Sequence, residues 1–279
     1  MQVFGTINSI REKLADLPND RQLGLVPTMG YFHKGHLSLV EKSKALCDKT
    51  GVSIFVNPAQ FGPNEDLATY PRDIGRDLEM LEDYEVDYVF IPDNSEMYSP
   101  DHKTWVEVSD LSGVLCGASR PGHFRGVATI VLKLVNIIKP DTLFMGLKDF
   151  QQIIVLERML KDLNLETTIE RCPIIREKDG LAMSSRNKYL SEDERKRALC
   201  LQDSITLAKK MVNNGVTDAR EIVTSAKKTI SDAGGRIDYV SIVDADTLQE
   251  LEKVTTNSRM LVAAFIGNTR LIDNSELIA

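Results

Sequence analysis

The sequence of 279 residues is poor in the features that mark several common classes of protein. Its 4 cysteines, Cys47, Cys116, Cys172 and Cys200, are scattered, with no Cys-x-x-Cys pair and no metal-ligand spacing. This excludes a disulfide scaffold and a zinc finger, and no residue is assigned as a metal ligand. No apolar run approaches the ~18 residues of a membrane span, and Met1-Gln2-Val3-Phe4-Gly5 lacks the basic and apolar regions of a secretory leader. A reduced cytoplasm is the expected location, with no membrane partner. Positive charge is in deficit as well: 34 Lys and Arg against 41 Asp and Glu leave a formal net charge of −7. A nucleic-acid partner, which needs a basic footprint, is not expected. Internal repeats and low-complexity stretches are absent, while 42% hydrophobic residues supply ample material for a core.

Histidine is scarce too, at 4 residues, yet two of them stand three apart in Pro27-Thr28-Met29-Gly30-Tyr31-Phe32-His33-Lys34-Gly35-His36. The apolar run Leu23-Gly24-Leu25-Val26 before it reads as a buried strand, and the amphipathic run from His36 to Cys47 reads as a helix. Strand, glycine-containing loop and helix start is the arrangement whose free N–H groups and dipole favour an anion. Two imidazoles on one turn can donate to phosphoryl oxygens as charge grows on them. With 4 His and 17 Gly in the chain, a chance His-x-Gly-His has odds of roughly a few in a thousand, so the pattern alone is suggestive.

The rest of the first half alternates strands with helices. Strands are expected at Val52–Val56, Asp87–Ile91, Asp141–Met145 and about Thr167–Ile175. Helices are expected from Tyr70 to Leu81, along an apolar stripe from Val127 to Ile138, and through Gln151, Gln152 and Leu163. The pattern implies a doubly wound, Rossmann-like parallel sheet. A strand order of 3-2-1-4-5 would reverse between the first and fourth strands, where open α/β sheets bind ligands. The loops meeting there would be the histidine loop and Gly146-Leu147-Lys148-Asp149. The turn Asn57-Pro58-Ala59-Gln60 carries two amides able to read a hydroxyl and a carboxylate, although ordinary turn chemistry explains them as well. His123, before the Val127 stripe, reads as structural rather than catalytic.

Past Lys178-Asp179-Gly180 the pattern changes. Met183-Ser184-Ser185-Arg186 offers two hydroxyls and a guanidinium, suited to a triphosphate but equally to a turn before a helix. Ser191 and Glu194 read as a capping box opening one long helix to about Asn213, and Asp218 opens another. Strands follow near Ile237–Val243, Met260–Ile266 and Arg270–Ile272. The expected organisation is an α/β domain over residues 1–176 and a smaller α+β domain over 177–279.

His-x-Gly-His after a strand resembles the signature of the nucleotidylyltransferase superfamily, which includes the class I aminoacyl-tRNA synthetases. The longer string from Pro27 to His36 resembles the pantoate–β-alanine ligase family within it, and the likeness covers nearly the whole chain. It implies an ATP-dependent, AMP-forming ligase that joins D-pantoate to β-alanine through a pantoyl-adenylate, typically a cytoplasmic homodimer that needs Mg2+. By resemblance, ATP contacts fall on Met29, Gly30, Tyr31, Phe32, His33, Lys34, Gly35 and His36, and on Gly146, Leu147, Lys148 and Asp149. Met183, Ser184, Ser185 and Arg186 match a further ATP segment, and Ile175 lies near the adenine position. His36, His33 and Lys148 are the catalytic candidates; Gln60, Gln152 and Asn57 are the substrate-binding ones. Two carboxylates usual in the family are replaced, by Cys116 in Leu115-Cys116-Gly117 and by Leu147. Another nucleotidylyltransferase, or a silent nucleotide-binding module, remain the alternatives.

Overall fold

Leu23–Thr28 is the strand around which the first half is built, and four of its residues are buried. In the computed structural model, which describes residues 1–18, 20–63 and 65–278, it lies inside a six-stranded parallel sheet. The strands are β1 (Gln2–Phe4), β2 (Leu23–Thr28), β3 (Lys49–Ile54), β4 (Tyr88–Phe90), β5 (Thr142–Gly146) and β6 (Thr168–Cys172), in the order β1-β4-β3-β2-β5-β6. Strands covered on both faces read as continuous apolar runs, which is why β2 and β4 were legible. The expected order of the five strands from β2 onward holds, with the reversal between β2 and β5. β1 is an addition, pairing Val3 with Val89 at the sheet edge; its polar Gln2 and short length gave no strand signal.

Helices Lys34–Leu46, Ile74–Asp83, His123–Ile138 and Phe150–Asp162 make the crossovers. Val26, Phe32, Val40, Ile54, Leu81 and Phe144 meet in one core cluster, so the loop residue Phe32 is anchored in the interior. Helix His123–Ile138 ends at Lys139 in the left-handed region, before Pro140, which has no N–H to continue the ladder. Bounds differ from expectation in places. β3 begins at Lys49 rather than Val52, because the Asp87 carboxylate accepts the Thr50 N–H at 2.9 Å and the Lys49 ammonium at 2.6 Å, fixing a polar strand start.

The chain divides into two compact units: Met1–Ser112 with Arg120–Gly146 and Gln152–Pro173, and Gly113–Ser119 with Leu147–Gln151 and everything from Ile174 onward. The second unit holds an antiparallel sheet, β7 (Arg236–Asp244), β8 (Ser258–Ile266) and β9 (Thr269–Glu276). Helices Cys200–Asn213 and Ala219–Asp232 supply Leu201, Ile205, Ile222 and Ile230 to its core against Val240, Met260 and Val262. The Ser191–Glu194 capping box is present, but the helix expected to run on to Asn213 breaks at Leu199. There the Leu199 N–H turns to the carbonyls of Lys196 and Arg197. No glycine or proline marks the break, so nothing in the local sequence announces it. β9 runs on to Glu276, past the expected stop at Ile272, because Asp273 and Asn274 are buried polar residues rather than a turn.

Candidate active site

The turn after β2 is held open by one carboxylate. Gly30 (φ 80°) and Tyr31 (φ 56°) both lie in the left-handed region, which costs a non-glycine residue about 1–2 kcal/mol. Asp77, 1% exposed, accepts the Tyr31 N–H at 2.6 Å and the Phe32 N–H at 2.7 Å and so holds that geometry. Arg76 donates to the Phe32 carbonyl at 3.1 Å and lies over the Tyr31 ring. Burial pushes the Asp77 carboxyl up, and the two N–H bonds counter it only in part. Sequence reasoning passed over Asp77; a carboxylate on a charged helix gives no sign that it points inward.

His33 caps the following helix, its Nδ1 accepting the Gly35 N–H at 3.1 Å. In the neutral ring the proton therefore sits on Nε2. The His36 ring stacks on His33 at 4.1 Å between centroids and meets Phe32 edge-on at 5.4 Å. The two histidines thus share one face at a helix start, as their spacing suggested, with half-buried side chains and backed by a buried aromatic. Met29 is half-buried beside them, while Lys34 is exposed.

In the same unit the Asn57–Gln60 turn comes to this loop: Gln60 Nε2 donates to Met29 Sδ at 3.2 Å. Asn57 lies behind Gln60, in contact with two further elements. It is 1% exposed, and its Nδ2 donates to Gln60 Oε1 (3.0 Å) and the Gly126 carbonyl (3.1 Å). Its Oδ1 accepts from Ala59 N–H (3.3 Å) and Tyr98 O–H (2.8 Å). These four bonds hold the Asn57 side chain inside the protein, and the one to Gln60 orients that amide. Burial pushes the Tyr98 phenol up to about 12, so it remains a donor near neutrality.

Gln60 is held from the other side as well. Its carbonyl accepts from His123 Nδ1 at 2.8 Å, and His123 Nε2 lies 3.0 Å from Arg120 Nη1. Arginine can only donate, so the ring is the neutral Nδ1–H tautomer, in keeping with a structural His123. Arg120 binds Glu65 through two bonds of 2.6 Å. Burial would raise the Glu65 carboxyl, but these bonds outweigh it and hold it below its ordinary value. Gln152, half-buried, stands in the first turn of helix Phe150–Asp162.

The remaining candidates belong to the second unit. β5, which neighbours β2, ends at Gly146, and the chain continues into the turn Leu147–Asp149. Leu147 and Lys148 are half-buried, and the Lys148 ammonium lies 3.3 Å from an Asp149 oxygen. Residues 175–183 form a small hairpin: Met183 N–H donates to the Ile175 carbonyl at 2.9 Å, and Gly180 (φ 96°) makes the bend. Ser184 caps the turn Ser185–Tyr189 by accepting the Arg186 N–H at 3.2 Å, and Asn187 ties that turn to Glu177 at 2.7 Å. Ser185 is buried, whereas Ser184 and Arg186 are half-buried. Cys116 is buried too; its N–H donates to Gln151 Oε1 at 3.1 Å.

A parallel sheet whose switch-point strand runs into a stacked histidine pair at a helix N-terminus is an arrangement suited to the phosphates of a nucleotide. Likeness to known proteins takes the assignment further. The family model for pantoate-beta-alanine ligase matches residues 2–276. The chain is 52% identical to the pantothenate synthetase of Thermosipho africanus, over 92% of this chain and 93% of that one. With the Thermotoga petrophila pantothenate synthetase it shares 50% identity, over 99% and 100%. The crystal structure of the Thermus thermophilus pantothenate synthetase superposes with a TM-score of 0.95 at 39% identity, covering 100% of both chains. A Francisella tularensis pantoate-beta-alanine ligase, solved with beta-gamma ATP and beta-alanine, does so with a TM-score of 0.82 at 34% identity, over 99% and 98%. The chain belongs to the pantoate–β-alanine ligase family, and its activity is an ATP-dependent, AMP-forming ligation.

Proposed function

We propose that His33 and His36 stabilise charge at the α-phosphate while the carboxylate of D-pantoate attacks it, and that β-alanine then displaces AMP from the pantoyl-adenylate. The observation that carries this reading is the stacked pair at the start of helix Lys34–Leu46, with the His33 proton directed to Nε2. The first step needs positioning and donors rather than an enzyme nucleophile. Met29 to His36 take part of the nucleotide, with Gln60 and Gln152 oriented to pantoate. In the second unit Lys148 and Met183 to Arg186 offset triphosphate charge, with Asp149 beside Lys148 and Ile175 at the adenine. The C-terminal domain acts as the lid that keeps the adenylate from water.

Mg2+ fits this donor set as an ion carried on the triphosphate. Among the described residues no group of three His, Cys, Asp or Glu side chains forms a protein-only site. Magnesium commonly keeps several waters and binds through phosphates plus one or two carboxylates, and Asp149 is the carboxylate next to the phosphate segment. When bound, the ion supplies charge neutralisation of the leaving pyrophosphate. The reading also includes a cytoplasmic homodimer, which light scattering on the purified chain tests directly. No helix among the described residues is long and apolar enough to cross a membrane.

The decisive experiment is exchange of labelled pyrophosphate into ATP with pantoate and magnesium present and β-alanine withheld. Exchange should require pantoate. His36→Ala should lower its rate by roughly 10²-fold or more, as for other lost transition-state donors, with ATP affinity changed less. Near-normal exchange in His36→Ala would remove the role assigned to the pair.

A further inference from the structure

Two consecutive residues of β9 reach two separate motif segments of the same unit. Asn274 is 2% exposed, and its Nδ2 donates to the carbonyls of both Leu147 (2.9 Å) and Lys148 (3.0 Å). Its Oδ1 accepts from Arg259 Nη1 at 2.6 Å, and that guanidinium stacks 4.2 Å over the Phe150 ring. The orientation of the amide is therefore settled by its partners: the oxygen must face the arginine, and both N–H groups must face the turn. Asp273, 3% exposed, is bound by both terminal nitrogens of Arg176 at 2.7 and 2.9 Å, and Arg176 also holds the Gly180 carbonyl at 3.0 Å. That bond fixes the hairpin leading into Ser184-Ser185-Arg186.

We propose that Asn274 is a positioning residue for Lys148, and that Asp273 and Asn274 together make β9 the common mount of the two triphosphate segments. A lysine stem is long and flexible, and its ammonium is placed only as well as its backbone is fixed. The turn Leu147–Asp149 is a single 3-10 turn, and the carboxamide supplies the donors for two of its carbonyls. Unclamped, the turn frays and the ammonium loses its aim. The adjacent aspartate ties the second segment to the same strand, so the separation of the two is set by β9 rather than by either loop. This rests on the assignment of Lys148 to the triphosphate.

Asn274→Asp is the informative variant because it is isosteric and keeps a partner for Arg259, yet presents no donor to the two carbonyls. Pyrophosphate exchange should fall roughly 10- to 100-fold, the scale of a misplaced catalytic group. Peptides spanning 147–151 should exchange their amide hydrogens at least about 10-fold faster, while those across β8 stay protected. In a Lys148→Ala background the same substitution should slow pyrophosphate exchange by less than about 2-fold, because its effect passes through the missing ammonium. Ile230→Ala, in the core of the same unit, serves as control; chosen to lower the melting temperature at least as far, it should leave the exchange rate near normal. Multiplicative losses in the double variant, unchanged protection at 147–151, or an equal loss in the control would overturn the positioning role. A normal rate for Lys148→Ala alone would instead refute the assignment of Lys148 itself, and the proposal with it.

Discussion

Gly126→Ala is a one-methyl change whose consequence can be worked out from geometry. Gly126 lies in the first turn of helix His123–Ile138, where it packs on the Asn57–Gln60 turn. A Cβ built there would stand 2.5 Å from the Ala59 carbonyl carbon and 2.7 Å from the Gln60 nitrogen. Ordinary contact begins near 3.4 Å, so helix and turn must part by about 1 Å. Both contacts are backbone, and no side-chain rotation relieves them. Two effects oppose each other. Alanine is better than glycine in a helix by about 1 kcal/mol, whereas overpacking costs about 1–3 kcal/mol, at the high end where backbone must move. The clash wins, leaving a net loss of about 2 kcal/mol and a fall in melting temperature of about 4–8 °C. The larger effect is on activity. The same movement stretches the bond from Asn57 to the Gly126 carbonyl and carries Gln60 with it, and a 1 Å misplacement of a positioning group costs about 10²-fold in rate. Because Gln60 is assigned to pantoate, pyrophosphate exchange should fall by that order, with the pantoate KM rising and the ATP KM little changed. Exchange kinetics of Gly126→Ala at wild-type values, in a folded protein, would show that the close approach at this helix does not set the site.

Asp77→Asn should separate stability from activity. It gives up one of two short bonds to the Tyr31 and Phe32 N–H groups but relieves the burial of a charge, so thermal stability changes by no more than about 2 kcal/mol. The exchange rate should still drop at least about 10-fold as the His33–His36 loop loosens, and an unaltered rate would make Asp77 merely structural. The Glu65–Arg120 pair should appear in the pH dependence of stability. A carboxyl whose pKa is lowered in the folded chain contributes stability above its free value of 4.5, and loses it as pH falls through the folded value. The stability gap between wild type and Glu65→Gln should therefore be full at pH 7 and close below pH 4.5; a gap that persists in acid would contradict the linkage. Cys116→Ser should retain most activity, since the bond to Gln151 comes from the backbone N–H, which the substitution keeps. Strong loss of activity with intact folding would show that the thiol itself takes part in the reaction.

Much of the molecule was local enough to read from the chain. The apolar runs of β2 and β4, the stripe of helix His123–Ile138 and the Ser191 capping box each encode their element within a few residues, because burial and capping act over that range. The histidine loop was legible for the same reason: strand, turn glycine and helix start are contiguous, and three-residue spacing is enough to stack two rings. Three features depend on residues far apart in the chain and were not legible. Asp77 meets Tyr31 from 46 positions away, Asn57 spends its amide on Gly126 at 69, and Asn274 reaches Leu147 at 127. In each case a polar side chain that reads as solvated or as turn chemistry is buried by the packing of another element. The distant partner in each of these three bonds is a backbone group, which carries no signature in sequence. The sequence by itself marked the candidate residues for the chemistry; tertiary structure decided which polar side chains hold them in place, because a buried polar group must find its partner wherever the fold places one.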